Sequence, residues 1–139
     1  MQHKTSELVG YRLDLAVALA EGIRAEPVLL QSLKDDGSPN WPAVETCKQF
    51  DSDGRMCGFF NPSTSWNQGG LIVERERVAI FRAYDGGEWF AVHDGKECID
   101  GQISNDRCEV GKHGSTPLVA AMRAYVAAHF GDEVSLPDA

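Results

Sequence analysis

Apolar residues recur at helical spacing in the first part of the chain. Between Thr5 and Gly22 they form a stripe wide enough to pack on a sheet. Thr5 and Ser6 are good N-cap residues, and Gly22 stands where helices commonly end in the left-handed conformation. Gly10 weakens the first turn, because glycine loses much conformational freedom in a helix. The pattern therefore predicts an N-terminal helix that is fully formed from about Tyr11.

The same spacing returns near the end of the chain. Thr116 is expected to cap a second helix, and Pro117 suits its first position because an N–H there would have no intrahelical partner. Gly131 is expected to end this helix. The residues of its predicted apolar face are Leu118, Ala121, Met122, Tyr125, Val126, His129 and Phe130.

Two short runs of mostly apolar, strand-forming residues on either side of a turn signal indicate a β-hairpin between these helices. The runs are VAIFRAY and EWFAV, whose side chains would alternate between the two faces of a sheet, and Asp85 and Gly86 between them are typical of a tight turn. The pattern predicts a hairpin over about residues 78–92. Shorter runs predict a strand entered through Pro27 and another around Glu97–Ile103.

The order of these elements predicts the fold class. Helices near both ends, with antiparallel strands between them and no strand–helix–strand repeat, favour an α+β fold. We expect a small antiparallel sheet, the hairpin at about 78–92, flanked by the N-terminal and the C-terminal helix. The interval 34–60 shows no sustained period and is predicted to be irregular. A length of 139 residues favours a single domain over 1–139.

The chain is acidic, with a formal net charge of −8 from 21 Asp and Glu against 13 Lys and Arg. Nucleic acids and anionic membranes are bound largely through cations, so neither is an expected partner. No apolar run approaches the roughly 20 residues of a membrane span, and the N-terminus lacks a signal-peptide pattern. We therefore expect a cytoplasmic protein.

The cysteines and histidines form no recognisable chemical motif. Cys47, Cys57, Cys98 and Cys108 contain no C-x-x-C pair, so zinc-knuckle and thioredoxin-like sites do not fit. Reduced cysteines packed as small apolar side chains are the expected state in the cytoplasm. The histidines belong to no H-E-x-x-H pattern, and no G-x-S-x-G exists. We expect no metal, no cofactor and no catalytic residue.

Three blocks, at both ends and in the middle, make up a little over a third of the chain. They are TSELVGYRLDLAVALAEG, PSTSWNQGGLIVERE and TPLVAAMRAYVAAHFGDEV. In their order and in their amino-acid sequences they resemble the NinX-like family of small phage and prophage proteins. The resemblance implies a phage or prophage origin and a cytoplasmic location in the host bacterium. It implies no reaction, because the molecular function of that family is generally regarded as unknown.

The middle block leaves two paths open for the chain after its pair of glycines. In similar sequences a proline commonly follows this pair, where the present chain has Leu71. Proline is favoured at the first position of a helix, so the resemblance implies a helical turn from about Gly70 to Glu76 and then a strand from Val78. A continuous strand from Leu71 is the alternative.

The middle block also holds most of the candidate binding residues. Its tryptophan offers a flat face for a ring, its hydroxyls can act as donors or acceptors, and its glycines can form a concavity of N–H groups for an anion. An arginine can grip a carboxylate or phosphate with two N–H groups. A capped turn whose tryptophan fills the core is the alternative. The candidate ligand-binding residues are Ser63, Thr64, Trp66, Gly69, Gly70, Arg75 and Arg123.

Three functions follow from these residues. The favoured hypothesis is a non-enzymatic binding module for a small anionic or nucleotide-like ligand. The alternative is a protein-interaction protein that binds a host factor or forms a homo-oligomer, for which the acidic charge would steer a basic partner. An enzyme that uses His93 and Cys98 is least favoured, because their pattern fits a nucleophile–base pair loosely. An open pocket with Trp66 beside Arg75 would favour the first hypothesis, and a buried Trp66 would argue against it.

Overall fold

The computed structural model describes residues 1–82, 87–93 and 112–137. These ranges contain three α-helices and eight strands, all paired antiparallel, so the protein has an α+β fold. The elements are β1 (Gln2–Lys4), a 3-10 turn (Thr5–Glu7), α1 (Gly10–Glu21), β2 (Arg24–Leu30), β3 (Val44–Phe50), β4 (Met56–Phe59), α2 (Trp66–Glu76), β5 (Ala79–Arg82), β6 (Trp89–Val92), β7 (Lys112–Gly114), α3 (Pro117–Phe130) and β8 (Glu133–Ser135).

The described strands form three small sheets where the sequence predicted one hairpin. They are β1–β8, β2–β3–β4 and β5–β6–β7. The hairpin itself is present as β5 and β6, with Phe81 opposite Phe90, but β7 adds a third strand at its side. The predicted turn at Asp85–Gly86 and the predicted strand at Glu97–Ile103 lie outside the described residues.

The prediction of an irregular segment over 34–60 is wrong, because β3 and β4 lie within it. β3 pairs with β2 along its whole length, from Arg24 opposite Phe50 to Leu30 opposite Val44. The apolar pattern is weak because Cys47 is the one fully buried residue of β3, and its thiol faces α1. Backbone pairing, which leaves no side-chain signature, therefore defines this sheet.

Helices α1 and α3 form the centre of the core. Their buried residues include Leu13 and Val17 of α1 and Met122 and Val126 of α3. α1 also packs on β2 and β3, whereas α3 packs on the β5–β6–β7 sheet. The expected arrangement, with both helices flanking one sheet, is not confirmed. None of the described helices has the length and apolar character to cross a membrane.

The helix ends follow the sequence signals in most places. Gly22 ends α1 with φ 71°, and Thr116 caps α3 by accepting a hydrogen bond from the Val119 N–H. Thr5 does not cap α1, which begins at Gly10. The Thr5 hydroxyl lies instead within hydrogen-bond distance of the Gly131 and Asp132 carbonyls, so it ties the start of the chain to the end of α3.

Candidate functional site

The middle sequence block forms a loop followed by α2. The helical path predicted after the glycines is confirmed, and the continuous strand from Leu71 is wrong. The helix begins at Trp66, four residues earlier than expected, so Gly69 and Gly70 lie inside it. The Gly69 N–H donates to the Ser65 carbonyl at 2.7 Å. The two glycines therefore do not form an open concavity of N–H groups.

Close packing explains the first of these glycines. A Cβ on Gly69 would collide with the Pro62 carbonyl oxygen and lie 2.8 Å from Leu118 Cδ2. A Cβ on Gly70 would meet Trp66 Cε3 at 3.6 Å, an ordinary contact. Gly69 thus lets α2 approach α3 and the preceding loop. This approach positions the residues that line the cleft between the two helices.

The starts of α2 and α3 meet at a surface cleft of about 270 Å³. Trp66 stands at its side and is 56% exposed, so it does not fill the core. Trp66 is therefore exposed at the cleft, but Arg75, which was expected beside it, is not among the lining residues. The cleft is lined by Ser63, Thr64, Trp66, Thr116, Pro117, Leu118 and Val119.

A buried carboxylate lies behind Ser63. The Ser63 N–H donates to Asp14 Oδ1 at 2.8 Å, and the two residues are only 2% and 4% exposed. Burial raises the pKa of Asp14 to about 6, although the backbone and side chain of Ser63 partly oppose this rise. The Ser63 hydroxyl is close to the carboxylate, yet it makes no hydrogen bond of ordinary geometry with any described residue. The hydroxyl oxygen is itself buried, so Ser63 and Asp14 form a buried polar pair behind the cleft.

Asp14 is not among the candidate residues predicted from the sequence. A signal was present, because Asp14 stands between Leu13 and Leu15 in an otherwise apolar part of α1. A carboxylate within an apolar stretch is more informative than one in a polar turn, since Asp is rarely buried without a partner. The partner, Ser63, is 49 positions away in the chain.

Arg75 lies away from the cleft, at the other end of α2. A separation of nine residues corresponds to about 14 Å along the helix axis from Trp66. Its guanidinium contacts Glu21 at 2.7 Å and Glu76 at 3.0 Å, and Glu76 Oε1 lies 3.1 Å from His93 Nε2. Hydrogen bonding to His93 and then to Arg75 lowers the pKa of Glu76. Arg75 therefore joins α2 to the end of α1.

Arg123 is likewise engaged outside the cleft. Its Nε donates to the Leu8 carbonyl at 2.8 Å, and its Nη1 donates to the His113 carbonyl at 2.7 Å. These bonds hold α3 against the segment before α1 and against β7. Of the seven candidate residues, the cleft therefore unites Ser63, Thr64 and Trp66. Gly69 supports it through close packing, and Gly70 lies within α2.

The described cysteines differ in environment. Cys47 is buried, its thiol donates to the Tyr11 carbonyl, and burial together with the Asp14 charge raises its pKa to about 12. Cys57 is exposed, contrary to the expectation of packed thiols. Cys98, the proposed partner of His93, lies outside the described residues. Within the described ranges no cluster of three His, Cys, Asp or Glu is arranged to hold a metal ion.

Comparison with known proteins supports the resemblance noted in the sequence. Residues 4–129 match a family model described as Bacteriophage P22, NinX. The match includes the segments between the three blocks and ends within the third of them. Among curated proteins, the sequence comparison finds no match.

Proposed function

Since the chain belongs to the NinX family of bacteriophage P22, it is a phage protein, and we propose that it is a non-enzymatic binding module for a small nucleotide-like ligand. The family description names no reaction. The observation that carries the proposal is the exposed Trp66 at the side of the cleft between α2 and α3.

A tryptophan in this position is available for stacking. Burying an indole stabilises a fold more than burying most side chains, so an indole left 56% exposed at a cleft has an unused apolar face. Stacking of a base on an aromatic side chain is worth about 1 to 3 kcal/mol. Because Trp66 is the first residue of α2, its position is set by the helix and not by a free loop.

Polar groups around the cleft can orient a stacked ring. Thr116 Oγ1 accepts from the Val119 N–H, so its own hydrogen is available to a ligand. The Thr64 hydroxyl donates to the Asn61 carbonyl at 3.3 Å and keeps its lone pairs as acceptors. The start of α2 adds N–H groups without intrahelical acceptors, together with the positive end of the helix dipole. A few polar groups on apolar walls are typical of small-molecule sites.

Replacing Trp66 with alanine should weaken ligand binding without unfolding the protein. We expect nucleosides and nucleotides at millimolar concentration to raise the melting temperature of the wild type, because a ligand of the native state stabilises it. Loss of stacking should weaken affinity about tenfold or more in calorimetry. Trp41, which is 50% exposed, provides a matched control, and Trp41→Ala should bind like the wild type. Equal loss in both variants, or no stabilisation by any ligand, would count against the proposal.

A second candidate function, self-association, is favoured by the outer face of the β2–β3–β4 sheet. Val44, Met56 and Phe59 are exposed on the side opposite the buried Cys47. Stacking of two such faces would remove this apolar surface from water.

Light scattering over a range of protein concentrations tests self-association. We expect a dimer that is weakened in the double variant Met56→Ser, Phe59→Ser. Leu71→Ser, which removes an exposed apolar side chain from α2, should leave the dimer unchanged. A wild-type protein that stays monomeric at all concentrations would exclude this function.

A further inference from the structure

We infer that the Asp14 carboxyl group and the Ser63 N–H form a proton-sensitive latch on the loop at residues 61–65. The neutral carboxyl group holds this wall of the cleft closed, and the ionised carboxylate lets it open more often. The inference comes from the hydrogen bond of 2.8 Å that joins these two buried groups across 49 positions of the chain. As a regulator of the ligand cleft, the latch rests on the proposed function, but its motion is measurable on the protein without a ligand.

This loop is otherwise held by short-range hydrogen bonds. The N–H groups of Thr64 and Ser65 donate to the Asn61 carbonyl, and the Asn61 N–H donates to a side chain of α2. Within the part of the chain that the structure describes, the bond from Ser63 to Asp14 is the one hydrogen bond that ties the loop to α1. Because the loop contributes two lining residues of the cleft, its position sets the shape of that wall.

No cation balances the Asp14 carboxylate among the described residues. The loop contains no titratable side chain, and the facing group on β3 is Cys47, a thiol that stays neutral because its own burial and the Asp14 charge raise its pKa. Arg24 of β2 pairs with a glutamate of the same strand, and Arg123 of α3 is bound to two backbone carbonyls. Tyr125 of α3 lies among charged side chains at the ends of α1 and α2. The ionised carboxylate is therefore stabilised chiefly by one neutral N–H donor.

Ionisation of Asp14 favours opening of the loop. In the closed arrangement Asp14 and Ser63 are almost fully buried, so the carboxylate has lost most of its hydration. Contact with water stabilises a carboxylate far more than a neutral carboxyl group. Burial raises the pKa of Asp14 from 3.8 to about 6, although hydrogen bonds from Ser63 oppose the rise. The contribution of the latch to closure is therefore complete below pH 3.8 and is lost as the pH rises through about 6.

Amide hydrogen exchange of the unliganded wild type and of Asp14→Asn, compared at each pH between 5 and 7.5, tests the inference. Asparagine keeps an acceptor for the Ser63 N–H but does not ionise, and the intrinsic exchange rates cancel in the comparison. We expect exchange at Ser63 and Ser65 to be faster in the wild type, by a factor that grows about tenfold over this range. Asp35→Asn, at an exposed turn, should behave like the wild type. A factor that stays constant with pH would overturn the inference and leave the proposed function intact, because no ligand is present.

Low concentrations of urea distinguish opening of the loop from unfolding of the whole protein. Global unfolding exposes much surface and is promoted by urea, whereas a local opening exposes little. At pH 7.5 we expect exchange at Ser63 to be insensitive to about 1 M urea, while exchange at the buried Val126 of α3 accelerates. Equal acceleration at the two amides would show that only global unfolding responds to Asp14, and the inference would be overturned.

Nuclear magnetic resonance titration of the wild type alone gives a second test that requires no variant. The chemical shifts of the Asp14 carboxyl carbon and of the Ser63 amide should change together, with a common midpoint at about pH 6. The common midpoint is expected because the carboxyl group that titrates is the acceptor of the Ser63 N–H. An Asp14 carboxyl group that titrates near its ordinary value of 3.8, or a Ser63 amide that does not follow it, would overturn the inference.

Discussion

Replacing Gly69 with alanine is expected to lower the free energy of unfolding by about 2 to 3 kcal/mol, because the added methyl group overpacks a close contact. The new Cβ would meet the Pro62 carbonyl oxygen and the Leu118 side chain, and the backbone atom cannot move aside as a flexible side chain can. Helix α2 would have to shift away from α3, which would also open the cleft beside Trp66.

The neighbouring glycine provides the control. Gly70→Ala is expected to raise the free energy of unfolding by up to about 1 kcal/mol, because alanine has the higher helix propensity and its Cβ makes only an ordinary contact with Trp66. Urea denaturation of both variants measures the two effects. Opposite signs at adjacent positions would support the packing of α2 described above, whereas a stabilised Gly69→Ala variant would contradict it.

The wild-type protein is expected to lose about 2 kcal/mol of stability relative to Asp14→Asn as the pH rises from 4 to 7.5. Burial raises the pKa of Asp14 from its ordinary value of 3.8 to about 6, so the folded state holds this proton more tightly than the unfolded state. The stabilising contribution is therefore complete below pH 3.8 and is lost as the pH passes through about 6. Asparagine keeps an acceptor for the Ser63 N–H but does not ionise.

Urea denaturation of both proteins at several pH values isolates this effect. Glu76 acts in the opposite sense, since its lowered pKa stabilises the fold above its ordinary range and is lost as the pH falls. That contribution is common to the two proteins and cancels in their difference. A difference that stays constant between pH 4 and 7.5 would show that Asp14 is not buried as described.

Local patterns were sufficient to predict α1, α3 and the strands of the hairpin, whereas α2 was implied only by the resemblance to related sequences. α3 runs from the predicted Pro117 to Phe130, just before the predicted stop at Gly131, because its cap and apolar positions are all encoded within one segment. β3 and β4 were missed because Cys47 alone is deeply buried in β3, and one apolar position makes no period. Pairing with β2, which lies earlier in the chain, organises these strands.

The candidate site was predictable only in part, and for a similar reason. Ser63, Thr64 and Trp66 are neighbours in the chain and remain neighbours at the cleft. Arg75 was predicted to bind a ligand because the sequence gave no sign of its partner in the structure. That partner, Glu21, is 54 positions away in the chain. Arg123 has a partner at Leu8, 115 positions away. Contacts this distant leave no local signal, so a free arginine and an engaged one look alike in the sequence.

Nuclear magnetic resonance titration of the ¹⁵N-labelled protein with nucleosides tests the binding cleft most directly. We expect saturable shifts of the Trp66 indole N–H and of the Ser63 and Leu118 amides, with little change on the outer face of the β2–β3–β4 sheet. Shifts confined to the residues around Trp66 would support a ligand site between α2 and α3. No shift at saturating concentration, or shifts centred on another surface, would contradict it.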